Sequence, residues 1–387
     1  MSIPDKMRCA LWWIGTFLFG MQPSTFAQNP RALFPGSFRQ DSVVRIAYLL
    51  PLSYKENLEL GAGNERKSFT QFLEFYEGGL LALQYWRELG YSIQSQLIDT
   101  QSGAAEQSAH QKALEEASVW IGPIYADEFK PYANLARASQ KSIVYPLSQM
   151  GEVWKDNPFV YQAASDNLIL WKRMIDKEIG KKPGENNVII VPQNQTKEYE
   201  SYVTFVKKGR ESVHLLRYKA GLDPMQNRAE LMQWLRPNAV NRLIILSQDE
   251  AFLSDLLANL AYIVEGGNSD IHLYGMPRWN KFESLNSSWF FQLNTHIPSA
   301  YVPNYQLDLT KRFVSDFMST YAIDPSPFAL QAFDLSNYFV QKQLGLKDTP
   351  FPMIQSRFEF EQQPHGGYVN TGGYILEYTR DFDLIVK

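Results

Sequence analysis

Between Phe69 and Ser148 the sequence alternates helical apolar spacing with short apolar runs, and this alternation constrains the fold more than any other feature. Phe69, Phe72, Leu73, Tyr76, Leu80 and Leu83 recur at helical intervals, which predicts a helix from Ser68 to Leu89. Strands are predicted at Ile93 to Ile98, Val119 to Gly122 and Ser142 to Leu147, with helices at Ala104 to Ala117 and Glu128 to Ser139 between them. Ahead of them, Val43 to Leu52 is a nearly unbroken apolar run, which suits a parallel strand covered on both faces. Helices alternating with short strands build βαβ units, and these give parallel sheets with right-handed crossovers. In such sheets ligands bind outside the carboxyl ends of the strands. Those ends read Asp99-Thr100, Ile121-Gly122-Pro123 and Pro146-Leu147-Ser148.

The pattern then restarts. An extended Phe159-Val160-Tyr161 leads to Ser165-Asp166-Asn167, which is suited to cap a helix from Leu168 to Ile179. Strands at Val188 to Val191, His214 to Tyr218, Arg242 to Leu246 and Ile271 to Tyr274 alternate with helices at Glu198 to Lys208, Arg228 to Leu235 and Ala251 to Val264. Farther on, Thr295 to Val302 reads as extended, Leu307 to Tyr321 and Phe328 to Leu344 as helices, and Phe358 to Phe360 and Tyr374 to Tyr378 as strands. The polar stretch Tyr54 to Lys67, with Gly61 and Gly63, reads as a long loop on the ligand side. A chain of 387 residues exceeds what one core organises, so two α/β lobes are the expectation.

Lys6 and Arg8, an apolar run from Leu11 to Met21 and Thr25-Phe26-Ala27 form a secretory signal peptide cleaved after Ala27. The run is too short for the roughly 20 residues that cross a bilayer, and no later segment reads as membrane-spanning. Cys9, the single cysteine, lies ahead of the run, where a lipid-acceptor cysteine would follow it. The mature chain is therefore expected to hold no disulfide, thiolate metal site or cysteine nucleophile. The net charge of -4 leaves no basic excess for nucleic acid.

Enzyme chemistry finds no motif. His110, His214, His272, His296 and His365 are scattered without metal-pair spacing, and neither a nucleophile elbow nor a phosphate loop occurs. Gly61-Ala62-Gly63 lacks the third glycine of a dinucleotide fingerprint. A non-enzyme without cofactor or metal is the expectation.

With Leu49-Leu50-Pro51-Leu52, Phe75-Tyr76-Glu77-Gly78-Gly79-Leu80-Leu81-Ala82, Asp99-Thr100 and Ile121-Gly122-Pro123 in this order, the chain resembles the type I periplasmic solute-binding proteins of the leucine/isoleucine/valine-binding type. Within them it is most similar to the envelope branch related to LysM-associated proteins and to lipoprotein activators of penicillin-binding proteins. The resemblance implies an α/β fold with two Rossmann-like lobes, parallel central sheets, and a multi-strand hinge that closes on a ligand. It places residues 43–164 plus 306–344 in an N-terminal lobe and 165–305 plus 345–387 in a C-terminal lobe, after a signal peptide at 1–27 and a leader at 28–42. It also implies a small polar solute, such as an amino acid, a peptide or a cell-wall fragment, held in an interlobe cleft for a transporter or sensor. The alternative is an envelope protein that keeps the fold and acts on a cell-wall synthase or another partner without a solute. Ser148-Gln149-Met150-Gly151 keeps one hydroxyl where the amino-acid binders carry more, which weakens the case for an α-amino acid and motivates that alternative.

On this frame Ser148, Gln149 and Ser165 line the first lobe's side of the cleft, with Gln193, Asn194, Ser247, Arg278 and Trp279 on the other. Gly122-Pro123 either offers helix-start N–H groups to an anion or is a packing turn with Asp127 capping the helix. Asp99-Thr100 either meets a ligand or caps its own loop. Arg278 beside Trp279 could supply a fork for an anion and a stacking face. Tyr54, Tyr125, Tyr199 and Tyr301 lie near loop ends, where aromatic walls or plain packing are both open readings.

Overall fold

The computed structural model describes residues 43–61, 64–103, 107–149, 154–180, 187–193, 197–208, 210, 213–267, 269–348 and 351–387. The signal peptide, Cys9, the leader and Asn194 lie outside them. The chain divides into two compact units, one of 43–164 with Pro303–Asn370 and the other of Ser165–Val302 with Thr371–Lys387.

In the first unit a seven-stranded sheet has the order β11-β12-β5-β4-β3-β1-β2, with strands numbered along the chain. These are β1 (Val44–Leu50), β2 (Ile93–Asp99), β3 (Val119–Ile121), β4 (Ser142–Tyr145), β5 (Val160–Gln162), β11 (Phe360–Gln362) and β12 (Tyr368–Asn370). All neighbours pair in parallel except β11 and β12. The helices are α1 (Tyr54–Leu60), α2 (Lys67–Glu88), α3 (Gln107–Glu116), α4 (Ala126–Ala138), α10 (Asp308–Tyr321) and α11 (Pro327–Leu344). Apart from Arg45 near its start, β1 is buried and largely apolar because both its faces are covered. Ile46, Tyr48 and Leu50 join one core with α2 and α11, while Ala47 and Leu49 join another with Trp120 and Phe129.

Gly78 and Gly79 let α2 approach its neighbours. A Cβ on Gly78 would stand 2.1 Å from the Ala329 carbonyl oxygen of α11, and one on Gly79 would stand 2.5 Å from the Tyr48 hydroxyl. α11 is fixed by Trp86, whose Nε1 donates to Asn337 Oδ1 at 2.9 Å, and by the Tyr48 and Ser336 hydroxyls 2.6 Å apart. Its fully buried Asp334 accepts the N–H groups of Ile354, Gln355 and Ser356 at 2.7, 3.0 and 2.7 Å. That clasp is the physical reason for one correction. Residues 345–370, expected in the second lobe, belong to the first unit, where β11 and β12 extend its sheet.

The second unit repeats the scheme with a seven-stranded sheet in the order β14-β13-β10-β9-β8-β6-β7. Its strands are β6 (Asn187–Pro192), β7 (Val213–Leu215), β8 (Val240–Leu246), β9 (Asp270–Tyr274), β10 (Thr295–Ser299), β13 (Tyr374–Tyr378) and β14 (Leu384–Val386). From β7 to β10 the pairing is parallel, and the hairpin strands β13 and β14 add antiparallel neighbours. The helices are α5 (Asn167–Glu178), α6 (Lys197–Lys207), α7 (Pro224–Trp234), α8 (Glu250–Glu265) and α9 (Ser287–Gln292). Asp166, Asp223 and Asp249 cap α5, α7 and α8 through their side chains. The first and second sheets share one parallel order, 2-1-3-4-5 in each unit's own sequence, so the strand order reverses between β1 and β3 and again between β6 and β8.

Two predictions arise from α2. Gly78→Ala gains about 1 kcal/mol of helix propensity but drives a methyl into the α11 backbone, so a net loss of about 2 kcal/mol is expected in denaturant unfolding. Glu77, with Glu74 nearby, is pushed by burial up to about 8 from an ordinary 4.5. A carboxyl held neutral in the folded state favours folding fully below its unfolded value and loses that advantage as pH rises through the folded one. Stability should therefore fall between about pH 4.5 and 8, and Glu77→Gln should flatten that part of the profile.

Candidate functional site

In the first unit the carboxyl end of β1 runs into Pro51-Leu52-Ser53, and Ser53 adopts a left-handed conformation with φ 46°. This bend aims three consecutive N–H groups at Asp99 on the neighbouring strand end. Asp99 Oδ1 accepts from Leu52 and Ser53 at 3.0 and 3.2 Å, and Oδ2 accepts from Tyr54 at 2.9 Å. Oδ1 also accepts from Gln101 N at 3.1 Å. Asp99 thus holds the start of α1, and the expected long loop from Tyr54 to Lys67 is replaced over its first half by this helix. Asn57 extends the device, receiving Arg66 N–H at 3.0 Å and donating to the Leu52 carbonyl at 2.8 Å.

Beside it lies a chain of hydrogen bonds that the sequence did not reveal. Ser53 Oγ donates to Gln101 Oε1, and Gln101 Nε2 donates to Glu128 Oε1 at 3.1 Å. Thr100 Oγ1 donates to Glu128 Oε2 at 2.6 Å. Glu128 stands in the first turn of α4, where a carboxylate is favoured by the helix dipole.

Gly122 and Pro123 are buried, joined by a cis peptide bond, and serve packing. Gly122 has φ 101°, and a Cβ there would stand 2.1 Å from the Leu49 carbonyl oxygen. Its N–H is already donated to Val144 O at 2.9 Å. Asp127 does not cap α4; the N-cap is Tyr125, without a side-chain bond. Tyr125 is exposed, with its ring edge on Phe72. Ser148 and Gln149 are exposed, and Ser148 Oγ donates to the Tyr145 hydroxyl at 2.8 Å.

In the second unit the strand reversal between β6 and β8 is occupied by Gln193 and Ser247. Ser247 Oγ donates to Gln193 Oε1 at 2.9 Å and accepts Asp249 N–H at 3.0 Å. Asp249 accepts Phe252 N–H at 2.9 Å, and that bond above all holds its carboxyl below the usual range. Ser165, at the start of this unit, is buried and donates to Gly372 O at 2.6 Å. Tyr301 is half-buried, with Lys281 Nζ 4.4 Å from its ring centroid and bonded to its hydroxyl. Tyr199 is a core residue.

Trp279 corrects one expectation. It is fully buried, donates Nε1 to Ser247 O at 2.9 Å, and packs so closely on Gly275 that a Cβ there would stand 2.5 Å away. It offers no stacking face to solvent. Its burial instead fixes the neighbouring Arg278, which is exposed in a left-handed conformation with φ 80°. Such a conformation in a non-glycine residue persists only where surrounding packing enforces it.

A second polar group lies on one face of the sheet, also unread from sequence. The Arg242 guanidinium donates to the Tyr274 hydroxyl at 2.7 Å, and the Tyr274 and His296 rings stack 4.9 Å apart. His296 Nε2 stands 3.6 and 3.5 Å from carboxylate oxygens of Glu178 and Glu377, both also approached by Lys387. Burial lowers His272 to about 4 and lowers His296 as well. Among the described residues, no group of three or more His, Cys, Asp or Glu is placed to hold a metal ion.

No family model and no curated protein matches the chain. Solved structures do. A protein from Rhodospirillum rubrum described as a branched-chain amino acid ABC transporter matches with TM-score 0.58 at 13% identity, over 89% of this chain and 100% of its own. Full-length LpoA from Haemophilus influenzae matches with TM-score 0.53 at 12% identity, over 90% of this chain and 60% of its own. This chain therefore spans about three fifths of LpoA. The LpoA C-domain, described as a regulator of PBP1A, matches with TM-score 0.49 at 11% identity, over 89% of this chain and 99% of its own. The shared fold rests on the first two.

The chain has the type I periplasmic-binding-protein fold, as the sequence resemblance implied. Strand reversals in this fold bring Ser53 and Gly122 to one carboxyl-terminal sheet edge, and Gln193 and Ser247 to the other. Of the candidates at these edges, Arg278, Tyr125, Ser148 and Gln149 are exposed, and Asp99, Thr100, Ser148, Ser165, Gln193 and Ser247 make side-chain hydrogen bonds within the protein. Asp99→Ala would remove the carboxylate that accepts the N–H groups of Leu52, Ser53, Tyr54 and Gln101 and is expected to cost about 1–3 kcal/mol, with faster amide exchange confined to residues 52–60 and 101.

Proposed function

We propose that the chain is an exported, non-catalytic binding protein that holds a small polar solute at the carboxyl-terminal strand edges of its units. One observation carries this reading. Arg278 stands exposed beyond the end of β9 on a base immobilised by the buried Trp279, and no hydrogen bond or ion pair occupies its guanidinium among the described residues. An unpaired guanidinium carried on a fixed backbone suits a carboxylate, which it engages through two parallel N–H donors. Amino acids, peptides and cell-wall fragments all carry that group. At the first unit's own strand edge Tyr125 is an exposed aromatic side chain. Export to the periplasm is supported by the signal-peptide pattern of residues 1–27, and no helix among the described residues is long and apolar enough to cross a membrane.

A second reading is favoured by a separate observation. The hydroxyl and amide groups best placed to meet a solute are engaged internally, as in Thr100 with Glu128 and Ser247 with Gln193. An envelope protein that recognises a cell-wall synthase or another protein, and not a solute, would have that property.

Thermal unfolding in the presence of amino acids, peptides and cell-wall fragments separates the two. A true solute at 100 times its Kd stabilises by about 2.7 kcal/mol. Arg278→Ala should weaken a carboxylate solute by at least about tenfold and leave the unliganded Tm unchanged, because the side chain is exposed. Silence across the panel, together with a stoichiometric protein partner that still binds the Arg278→Ala variant, would transfer the case to the second reading.

A further inference from the structure

The outer edge of the second sheet is β14, a three-residue strand flanked by Asp383 and Lys387, whose Leu384-Ile385-Val386 carries no proline. Phe382, Leu384, Ile385 and Val386 are all exposed, at 64, 48, 43 and 45%. Soluble proteins usually blunt an edge with proline, bulges or inward charges, and none of these interrupts Leu384-Ile385-Val386.

The hydrogen bonds show which backbone groups are open. Lys387 and Ile375 exchange both bonds at 3.0 Å, and Thr379 N–H donates to Asp383 O at 2.9 Å. With Ile385 opposite Glu377, the antiparallel alternation assigns residues 383, 385 and 387 to β13. Leu384 and Val386 therefore direct their N–H and C=O groups away from the sheet.

We propose that β14 pairs antiparallel with β14 of a second copy of this chain, about a two-fold axis at Ile385. The register follows from the open groups. Centring on Ile385 sets Leu384 opposite the second copy's Val386 and Val386 opposite its Leu384, giving two closely bonded pairs with four backbone hydrogen bonds. Centring on Leu384 or on Val386 gives only one such pair within the strand. The same register sets Ile385 against Ile385, and Leu384 against Val386 on the opposite face. It also brings Asp383 of each copy opposite Lys387 of the other. Among the described residues Asp383 has no side-chain partner, and Lys387 keeps partial exposure beside Glu377 and Glu178. Backbone polarity, apolar contact and charge thus agree on one self-complementary strand, which an arbitrary partner strand would not reproduce.

The paired surface is small against a standard interface, so the dimer is weak and depends on concentration. Sedimentation of the purified protein up to roughly 1 mM should show a monomer passing to a dimer, with Leu384 and Val386 amides gaining exchange protection as concentration rises. Val386→Pro removes an outward N–H that β13 does not use. It should abolish the dimer while preserving far-ultraviolet dichroism and Tm. Asp383→Lys sets lysine against Lys387 and should raise the dimer Kd at least about fivefold; it also covers a proline variant that failed to fold. A monomer across the whole range would overturn the proposal. So would a dimer indifferent to both substitutions, or a β14 engaged instead by a strand of another protein.

Discussion

In the two mostly parallel sheets the central strands are covered on both faces, so away from the edge strands their backbone polar groups open at the strand ends, and this constraint organises the turns of the molecule. Along β1 and β6 the residues beyond Arg45 and Asn187 are covered and largely apolar, so the polar side chains of the turns collect where the strands stop. There each exposed N–H needs an acceptor. Asp99 answers three of them in the first unit, and Ser247 with Asp249 does similar work in the second. Residues that resemble ligand contacts in a linear sequence are thus, in part, the fasteners of the turns on which contacts would be displayed.

Strands and helices whose reason is local were legible in the sequence. The apolar run of β1, the helical stripe from Phe69 to Leu83, and Asp166 as a helix cap depend on near neighbours, and the structure contains each of them. Features decided by distant partners were not. Whether residues 345–370 join the first or second unit turns on Asp334, which lies in another element. Trp279 beside Arg278 looked like a surface pair, yet the Ser247 carbonyl and the bare face of Gly275 draw it inside. The seven-residue helix after Ser53 hides in polar sequence because its start is fixed by Asp99, some 45 residues later. The signal for the Thr100–Glu128 bond was equally thin: two polar residues at a strand end and a helix start, 28 residues apart.

Arg278 and Trp279 also illustrate how rigidity and availability divide between adjacent residues. Burying the indole fixes the backbone, and the backbone then presents the guanidinium without a competing partner. An arginine on a free loop would lose both backbone and rotamer freedom on meeting an anion, whereas this one has already lost the backbone part in folding. The left-handed φ of Arg278 is the visible trace of that arrangement.

The first unit is discontinuous, and its hydrogen bonds span great lengths of chain; Tyr48 meets Ser336 across 288 positions. A ribosome or translocon delivers the amino end first, so β1 to β5 emerge long before β11 and β12 are available to finish their sheet. The second unit's main segment, Ser165–Val302, is made in between and is largely self-sufficient. Synthesis order and assembly order therefore differ. Until Leu344 has been delivered, the amino-terminal half waits with an apolar helix face, the one built around Gly78, uncovered by α11.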